Sequence, residues 1–378
     1  MSELLVVAGE ASGDKAAALV VAALRADAGG GPRVFGMGGS SLAAQGAELV
    51  SDLRDSTALG VTDVVERACA IGLAYASVAR AATKRRARAA LLVNYTEFNT
   101  LLAARLHARG VRVLWYGAPQ IWAWRPGRAE PLRRSVDRMA VMLPFEEAMW
   151  RERGVDAEYV GHPASETSSL TREQAREALG LTPYARAVAI LPGSRPREVD
   201  RLLGPMLEAY ETVRHDRASV DGRVLLAPSL DPATRDRARR AAERYDVEVV
   251  DVDGRVGAAP CLRGFDVALC ASGTAALEAA LARAVPVVAY RVDLFTELAA
   301  RSLLRTPQIA LPNILLGRGA FTELVQREVQ PKKIAHALGR ALDAHASLVR
   351  ACDEVDDALG PQRTPSREVA RMLRPWLS

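Results

Sequence analysis

The chain reads as an α/β protein of two doubly wound, Rossmann-like domains facing a cleft. Three observations predict this. Short, continuous apolar runs alternate with helical stretches almost throughout, as parallel strands covered by helices on both faces require. At 378 residues the chain exceeds what one core usually organises. A polar segment at 163–171 (PASETSSLT) divides it near the middle, and the string TREQ (171–174) that overlaps its end has the pattern of a helix start.

The predicted strands of the first half are 4–8, 34–37, 90–93, 112–115, 139–142 and 158–160. Those of the second half are 188–191, 224–227, 247–250, 267–270 and 285–290. Helices read most clearly at 15–25, 100–109, 235–244 and 274–283, and the end of the chain is helical at 331–346 and 366–376. The implied division is 1–167, 168–350 and a helical segment 351–378 that packs back on the first domain. With this topology ligands belong at the carboxyl ends of the strands.

Composition narrows the class. Apolar residues make up 49% and charged residues 25%, which describes a folded globular protein and excludes a disordered one. A net charge of +5 suits anionic substrates or an anionic membrane surface and is too small to argue for nucleic acid. Cys69, Cys261, Cys270 and Cys352 form no CxxC pair, so reduced thiols and a cytoplasmic location are expected. The five histidines lack ligand spacing, so no protein-held metal is expected. No basic leader precedes the first apolar run, and no apolar run reaches the roughly 20 residues of a spanning helix. Membrane contact is therefore expected to be peripheral.

The most informative string is VALCASGTAALE (267–278). A strand runs into Ser272-Gly273-Thr274 and a helix opens at once, so unpaired N–H groups and the helix dipole favour an anion there. Glu278 lies one turn behind Thr274 on the same face. Two readings fit: a diphosphate turn with Glu278 on a ribose, or an ordinary helix start with a solvated carboxylate. The string LPGSRPRE (191–198) supplies a second turn, where Ser194 exposes backbone donors and Arg195 offers a permanently charged fork. Two such turns in one domain favour the phosphate reading.

The first half carries GEASGD (9–14) and GMGG (36–39) after its first two strands. Their glycines admit a ligand close to the backbone, and Ser12 or Asp14 is placed to cap the first helix. In VNYTEFN (93–99), Glu97 reads either as a general base at a strand end or as a carboxylate favoured by the helix dipole. Trp122 and Trp124 read as pocket walls or as core. The stretch 69–79 is nearly all apolar and is followed by Lys84, Arg85, Arg86 and Arg88. It reads either as an interfacial helix or as a buried one with a solvated basic end. In ALPN (310–313), Asn313 interrupts an apolar, strand-like run.

Taken together, VAGEASGD, GMGG, IWAWR, LPFE, GHP, LPGSRPRE, SGTAALE and LPN, in this order, resemble the lipid-A-disaccharide synthase family from end to end. The resemblance implies a GT-B fold and an inverting hexosyltransferase without cofactor or required metal. Its donor would be UDP-2,3-diacylglucosamine and its acceptor 2,3-diacylglucosamine 1-phosphate, giving a β-1,6 disaccharide and UDP. It implies peripheral contact with inner-membrane lipids from the cytoplasmic side and no nucleic-acid partner, and it leaves the oligomeric state open. Carried over by position, Glu97 and Arg195 are the candidate catalytic residues. Gly9, Glu10, Ser12, Asp14, Asn99, Trp124, His162, Ser194, Ser272, Gly273, Thr274, Glu278 and Asn313 are the candidate substrate-binding residues.

One loop departs from the family's Ile-Asp-x-Pro-Asp-Phe-Asn. Asn94 replaces the first aspartate, Thr96 the proline, and Glu97 the second aspartate, the family's usual candidate base. This departure admits two alternatives: a relative acting on UDP-sugars as an epimerase or on another acceptor, or a non-catalytic paralogue that binds UDP-sugar or lipid.

Overall fold

The apolar runs become two parallel sheets. The structure, a computed structural model, describes residues 2–26, 31–52, 64–123 (side chains from 68), 126–166, 170–217, 219–252, 258–291 and 306–377. Contacts divide the chain into one unit of 1–166 with 362–378 and a second of 167–361.

The first unit holds β1 (Glu3–Ala8), β2 (Arg33–Gly38), β3 (Glu48–Asp52), β4 (Ala89–Val93), β5 (Arg112–Tyr116), β6 (Arg138–Val141) and β7 (Ala157–Tyr159), in the order β3-β2-β1-β4-β5-β6-β7. Alternate residues of the central strands feed two separate cores. Leu5, Val7 and Leu92 pack with Phe35, Trp115 and Val78, whereas Leu4, Val6 and Leu91 pack with Val20, Val369 and Leu373. The second core is thus closed by the helix Pro365–Leu377, which returns from the far end of the chain.

The second unit holds β8 (Arg186–Leu191), β9 (Val220–Leu226), β10 (Glu248–Asp251), β11 (Val267–Ala271), β12 (Val285–Tyr290) and β13 (Glu323–Val325), in the order β10-β9-β8-β11-β12-β13. Cys270, fully buried in β11, has its thiol pushed up to about 12 by burial.

Several expectations change. Strands β3 and β13 have no sequence prediction: both lie at sheet edges, and β3 carries Glu48, Ser51 and Asp52 in place of a continuous apolar run. The expected 331–346 helix stops at Asp343, and a further helix, His345–Leu359, packs within the second unit. The return to the first unit therefore begins at Gln362 and not at 351. Gly360, with φ +76°, and Pro361 mark that break, a helix-stop pair legible in the sequence. No strand precedes Asn313 among the described residues 306–310; Asn313 lies inside the short helix Leu311–Leu316.

Candidate active site

Each sheet reverses its strand order once, between β1 and β4 and between β8 and β11. At such a switch point the loops leaving the two strands diverge, and open α/β sheets take their ligands there.

In the first unit the turn after β1 meets the loop after β4. A Cβ on Gly9 would lie 2.0 Å from the Tyr95 ring, so only glycine lets that ring close over the turn. Asn94 and Tyr95 hold left-handed backbone, with φ of +50° and +47°. Asparagine tolerates this region, while tyrosine resists it by about 1–2 kcal/mol. Stacking of Tyr95 on Phe98, centroids 5.1 Å apart, helps to hold it. Thr96, where the family has proline, opens the helix Thr96–His107.

Glu97 sits in the first turn of that helix, its side chain 71% exposed and ion-paired with Arg128, which is 17% exposed. Asn99 is fully buried. Its Nδ2 donates to the carbonyls of Asn94 (3.0 Å) and Val93 (3.4 Å), while its Oδ1 has no hydrogen-bond partner. Asn99 therefore pins the loop that carries Glu97. Glu10 and Ser12 are exposed at the start of the helix Ala11–Arg25, which the side chain of its N-cap residue, Glu10, does not cap.

Asp14 corrects the sequence reading. It caps a different helix: its buried carboxylate accepts from the backbone N–H groups of Gly39 (2.7 Å), Ser41 (2.9 Å) and Leu42 (3.2 Å). The helix start at Gly39, where GMGG ends, is thus occupied by the protein's own carboxylate, while Gly36–Gly38 lie in β2.

The loops after β5 and β6 are joined by a carboxylate the sequence reading missed. Glu146 is buried and accepts from the Trp122 indole N–H (3.0 Å) and from the backbone N–H groups of Leu143 (3.1 Å) and Met142 (3.3 Å). Burial pushes its carboxyl up to about 7 against those hydrogen bonds. Trp122 meets the ring of Phe145 edge to face at 5.3 Å. The signal was the string LPFE, which places an acid in the first turn after a proline. Trp124 lies outside the described residues.

His162 follows edge strand β7 and is buried; its Nδ1 accepts from the Ala164 N–H at 3.0 Å. That bond leaves the neutral ring's proton on Nε2. Burial lowers its imidazole to about 4.

In the second unit the turn after β8 is also filled from within. Glu198 accepts from the N–H groups of Ser194 (3.0 Å) and Arg195 (3.3 Å) and pairs with the Arg195 guanidinium at 3.4 Å. A Cβ on Gly193 would stand 2.5 Å from Glu198 Oε2. The Arg195 side chain, not the turn's amides, is what this loop offers a ligand, and it is exposed.

The turn after β11 differs. The helix Thr274–Leu281 has no acidic residue in its first turn, its N-cap Gly273 has no side chain to cap it, and no side chain among the described residues is hydrogen-bonded there. Glu278 follows one turn on, half-buried.

Asn313 also changes role. It is buried, with Nδ2 donating to Phe321 O (2.9 Å) and Glu323 Oε1 (2.7 Å) and Oδ1 accepting from Phe321 N–H (2.9 Å). Glu323 further accepts from the N–H groups of Ile309 and Ala310, both at 3.0 Å, and the Ser272 hydroxyl donates to Ile309 O at 3.3 Å. Asn313 and Glu323 thus brace the segment against which Ser272 rests. Among the described residues no group of three or more His, Cys, Asp or Glu is placed to hold a metal.

Two Rossmann-like units, each a parallel sheet with one switch point, define a two-domain protein of the GT-B type. Solved structures share that fold at low identity. A UDP-GlcNAc 2-epimerase of Neisseria meningitidis, bound to UDP-GlcNAc, aligns with TM-score 0.64 and 10% identity over 99% of this chain and 98% of that one. MurG of Acinetobacter baumannii aligns with TM-score 0.57 and 14% identity over 99% and 100%. Sequence is more specific. The family model described as lipid-A-disaccharide synthetase matches residues 4–372, and the chain belongs to that family. The lipid-A-disaccharide synthase of Myxococcus xanthus is 44% identical over 89% of this chain and 87% of its own length. That of Anaeromyxobacter dehalogenans is 40% identical over 98% and 97%.

Proposed function

We propose that the chain transfers a 2,3-diacylglucosamine unit from its UDP-linked donor to the 6-hydroxyl of 2,3-diacylglucosamine 1-phosphate, with inversion and release of UDP. Membership of the lipid-A-disaccharide synthetase family supports it. The structural observation that carries it is the division of chemistry between the two switch points. The first presents an exposed carboxylate, Glu97, in the helix turn that follows the left-handed Asn94–Tyr95 pair. The second presents Arg195 after β8 and, after the neighbouring β11, a helix start with no acidic residue in its first turn.

Glu97 takes the proton of the acceptor 6-hydroxyl as its oxygen bonds to the donor anomeric carbon. The bond from that carbon to the diphosphate breaks on the opposite face. Arg195 and the helix start at Thr274 stabilise the charge that develops on departing UDP. Glu278 holds the ribose, and Asn313 with Glu323 keeps the Ser272 turn in place. The longer side chain of Glu97, set against the family's aspartate, is oriented by its ion pair with Arg128.

Peripheral membrane contact extends the proposal. The helix Val64–Lys84 buries Ala74, Val78, Ala79 and Ala82 in the core and leaves Leu73 70% exposed; Leu101, on the helix Thr96–His107 that packs against it, is 65% exposed. The buried reading describes one face of this helix, and the interfacial role is proposed for the opposite face, which carries Leu73. Arg80, Lys84 and Arg86 are exposed toward its end, whereas Arg85 turns back to Glu48 and the Phe35 ring. Among the described residues no helix is long and apolar enough to cross a membrane. Leu73→Ser should reduce sedimentation with anionic vesicles at low salt, and equal sedimentation would remove this face from the proposal.

The decisive assay supplies both acylated substrates in detergent and follows UDP release together with lipid products. Stoichiometric UDP and disaccharide are expected. Consumption of UDP-N-acetylglucosamine without any lipid would replace the proposal with an epimerase reading.

A further inference from the structure

The chemistry assigned above does not use Glu146. This carboxylate is buried, yet it spends its acceptors on one indole N–H and two backbone N–H groups in the loops after two different strands. What it holds is an aromatic pair: Trp122 half-buried after β5 and Phe145, 40% exposed, after β6. The loop after β5 is gripped a second time, because Arg128 at its far end pairs with Glu97. One loop therefore links the candidate base to the aromatic pair, and both lie at the carboxyl ends of neighbouring strands of one sheet.

A ring edge or face beside a sugar or acyl chain adds apolar contact without spending a charge, and its value depends on how rigidly it is held. An indole tethered through its N–H keeps one orientation, whereas an untethered ring samples several. A plain core tryptophan needs no exposed aromatic partner, and a plain helix cap needs no indole. The combination is that of a braced contact surface.

We infer that Glu146 is a positioning residue for acceptor recognition, holding the Trp122–Phe145 pair against the acylated sugar that receives the glycosyl unit. The inference rests on the acceptor being bound by the first unit, as proposed above. Glu146 touches no reacting atom; it acts through Trp122.

Steady-state kinetics with donor and acceptor varied separately test it, beside intrinsic fluorescence. All five tryptophans (115, 122, 124, 150 and 376) belong to the first unit, so their emission reports on that unit alone. Wild-type turnover to disaccharide, measured first, tests the functional proposal by itself. Trp122→Phe keeps a ring and removes the tether, and Glu146→Gln keeps the shape and removes the charge. Each should raise the acceptor KM about 10-fold, with donor KM unchanged and kcat within about 3-fold. The double variant should be no worse than the poorer single one, because the two residues act as a unit. Acceptor titration should change tryptophan emission in the wild type and much less in Trp122→Phe. An unchanged acceptor KM in Trp122→Phe would overturn the inference, as would equal losses in both KM values and kcat, the signature of a merely structural role.

Discussion

The helices after β2 and β11 each start at a glycine, Gly39 at the end of GMGG and Gly273 in SGT, and the structure uses the two starts in opposite ways. The first is filled by the protein's own carboxylate, Asp14, which takes three N–H groups. The second opens a helix with no acid in its first turn and no side-chain cap. The same contrast recurs inside the second unit, where Glu198 fills the turn after β8. A helix start attracts an anion whether the anion is a side chain or a ligand. A glycine turn therefore marks a ligand site only where no internal carboxylate reaches it first.

The largest expected effect tests the division between the two units. Glu97→Gln should lower kcat by about 10²- to 10⁴-fold, the usual worth of a general base, while UDP affinity stays within about 2-fold. Unchanged turnover would remove Glu97 from the reaction and leave the first switch point without a base. In the second unit, Arg195→Ala should weaken UDP binding by roughly 10- to 100-fold, the worth of a charge-assisted hydrogen bond. Gly273→Ala sharpens the contrast between filled and open turns. Its Cβ meets nothing within 4 Å, so any loss comes from the φ of +148° and not from crowding. About 10-fold weaker UDP binding is expected, as the turn shifts to relieve that strain. By contrast, Asp14→Asn should cost about 2 kcal/mol of stability and leave UDP binding alone, because its carboxylate caps a helix within the first unit. Titration of UDP calorimetrically across these variants separates the cases; a UDP defect in Asp14→Asn would undo the comparison.

How much of this was legible follows from how far each interaction reaches along the chain. The central strands were readable because burial on both faces leaves continuous Val, Leu and Ala runs such as 188–191 and 267–270. Strands β3 and β13 were not: Glu48, Ser51 and Asp52 break the apolar run of β3, and β13 is only three residues long. Glu198 lies three residues beyond Arg195, so its capture of that helix start was a local pattern. Asp14 reaches Gly39 across 25 residues, and only the pairing of β1 with β2 brings them together. The left-handed Asn94–Tyr95 pair had no local signal beyond the lost proline. Asn313 was uninformative by its own motif and took a contact role from the resemblance alone. Its partners Phe321 and Glu323, which turn it into a brace, lie on a segment with no motif of its own.

The smallest effect concerns two buried groups of the first unit whose titrations oppose each other. Burial holds His162 at about 4 against an ordinary 6.5, so the folded protein keeps it neutral while the unfolded chain takes up a proton. Its contribution to stability is complete above pH 6.5 and is lost as pH falls toward 4. Burial raises Glu146 to about 7 from 4.5, so its contribution is complete below pH 4.5 and is lost as pH rises through 7. Between pH 7 and pH 5 each term changes by about 2 kcal/mol, in opposite directions. Removing one exposes the other. On acidification from pH 7 to pH 5, His162→Gln should gain stability relative to the wild type and Glu146→Gln should lose it. Urea unfolding followed by tryptophan emission, which reports on the first unit alone, reads both. Identical pH dependence in the two variants would mean that neither group is as shielded from water as its burial requires.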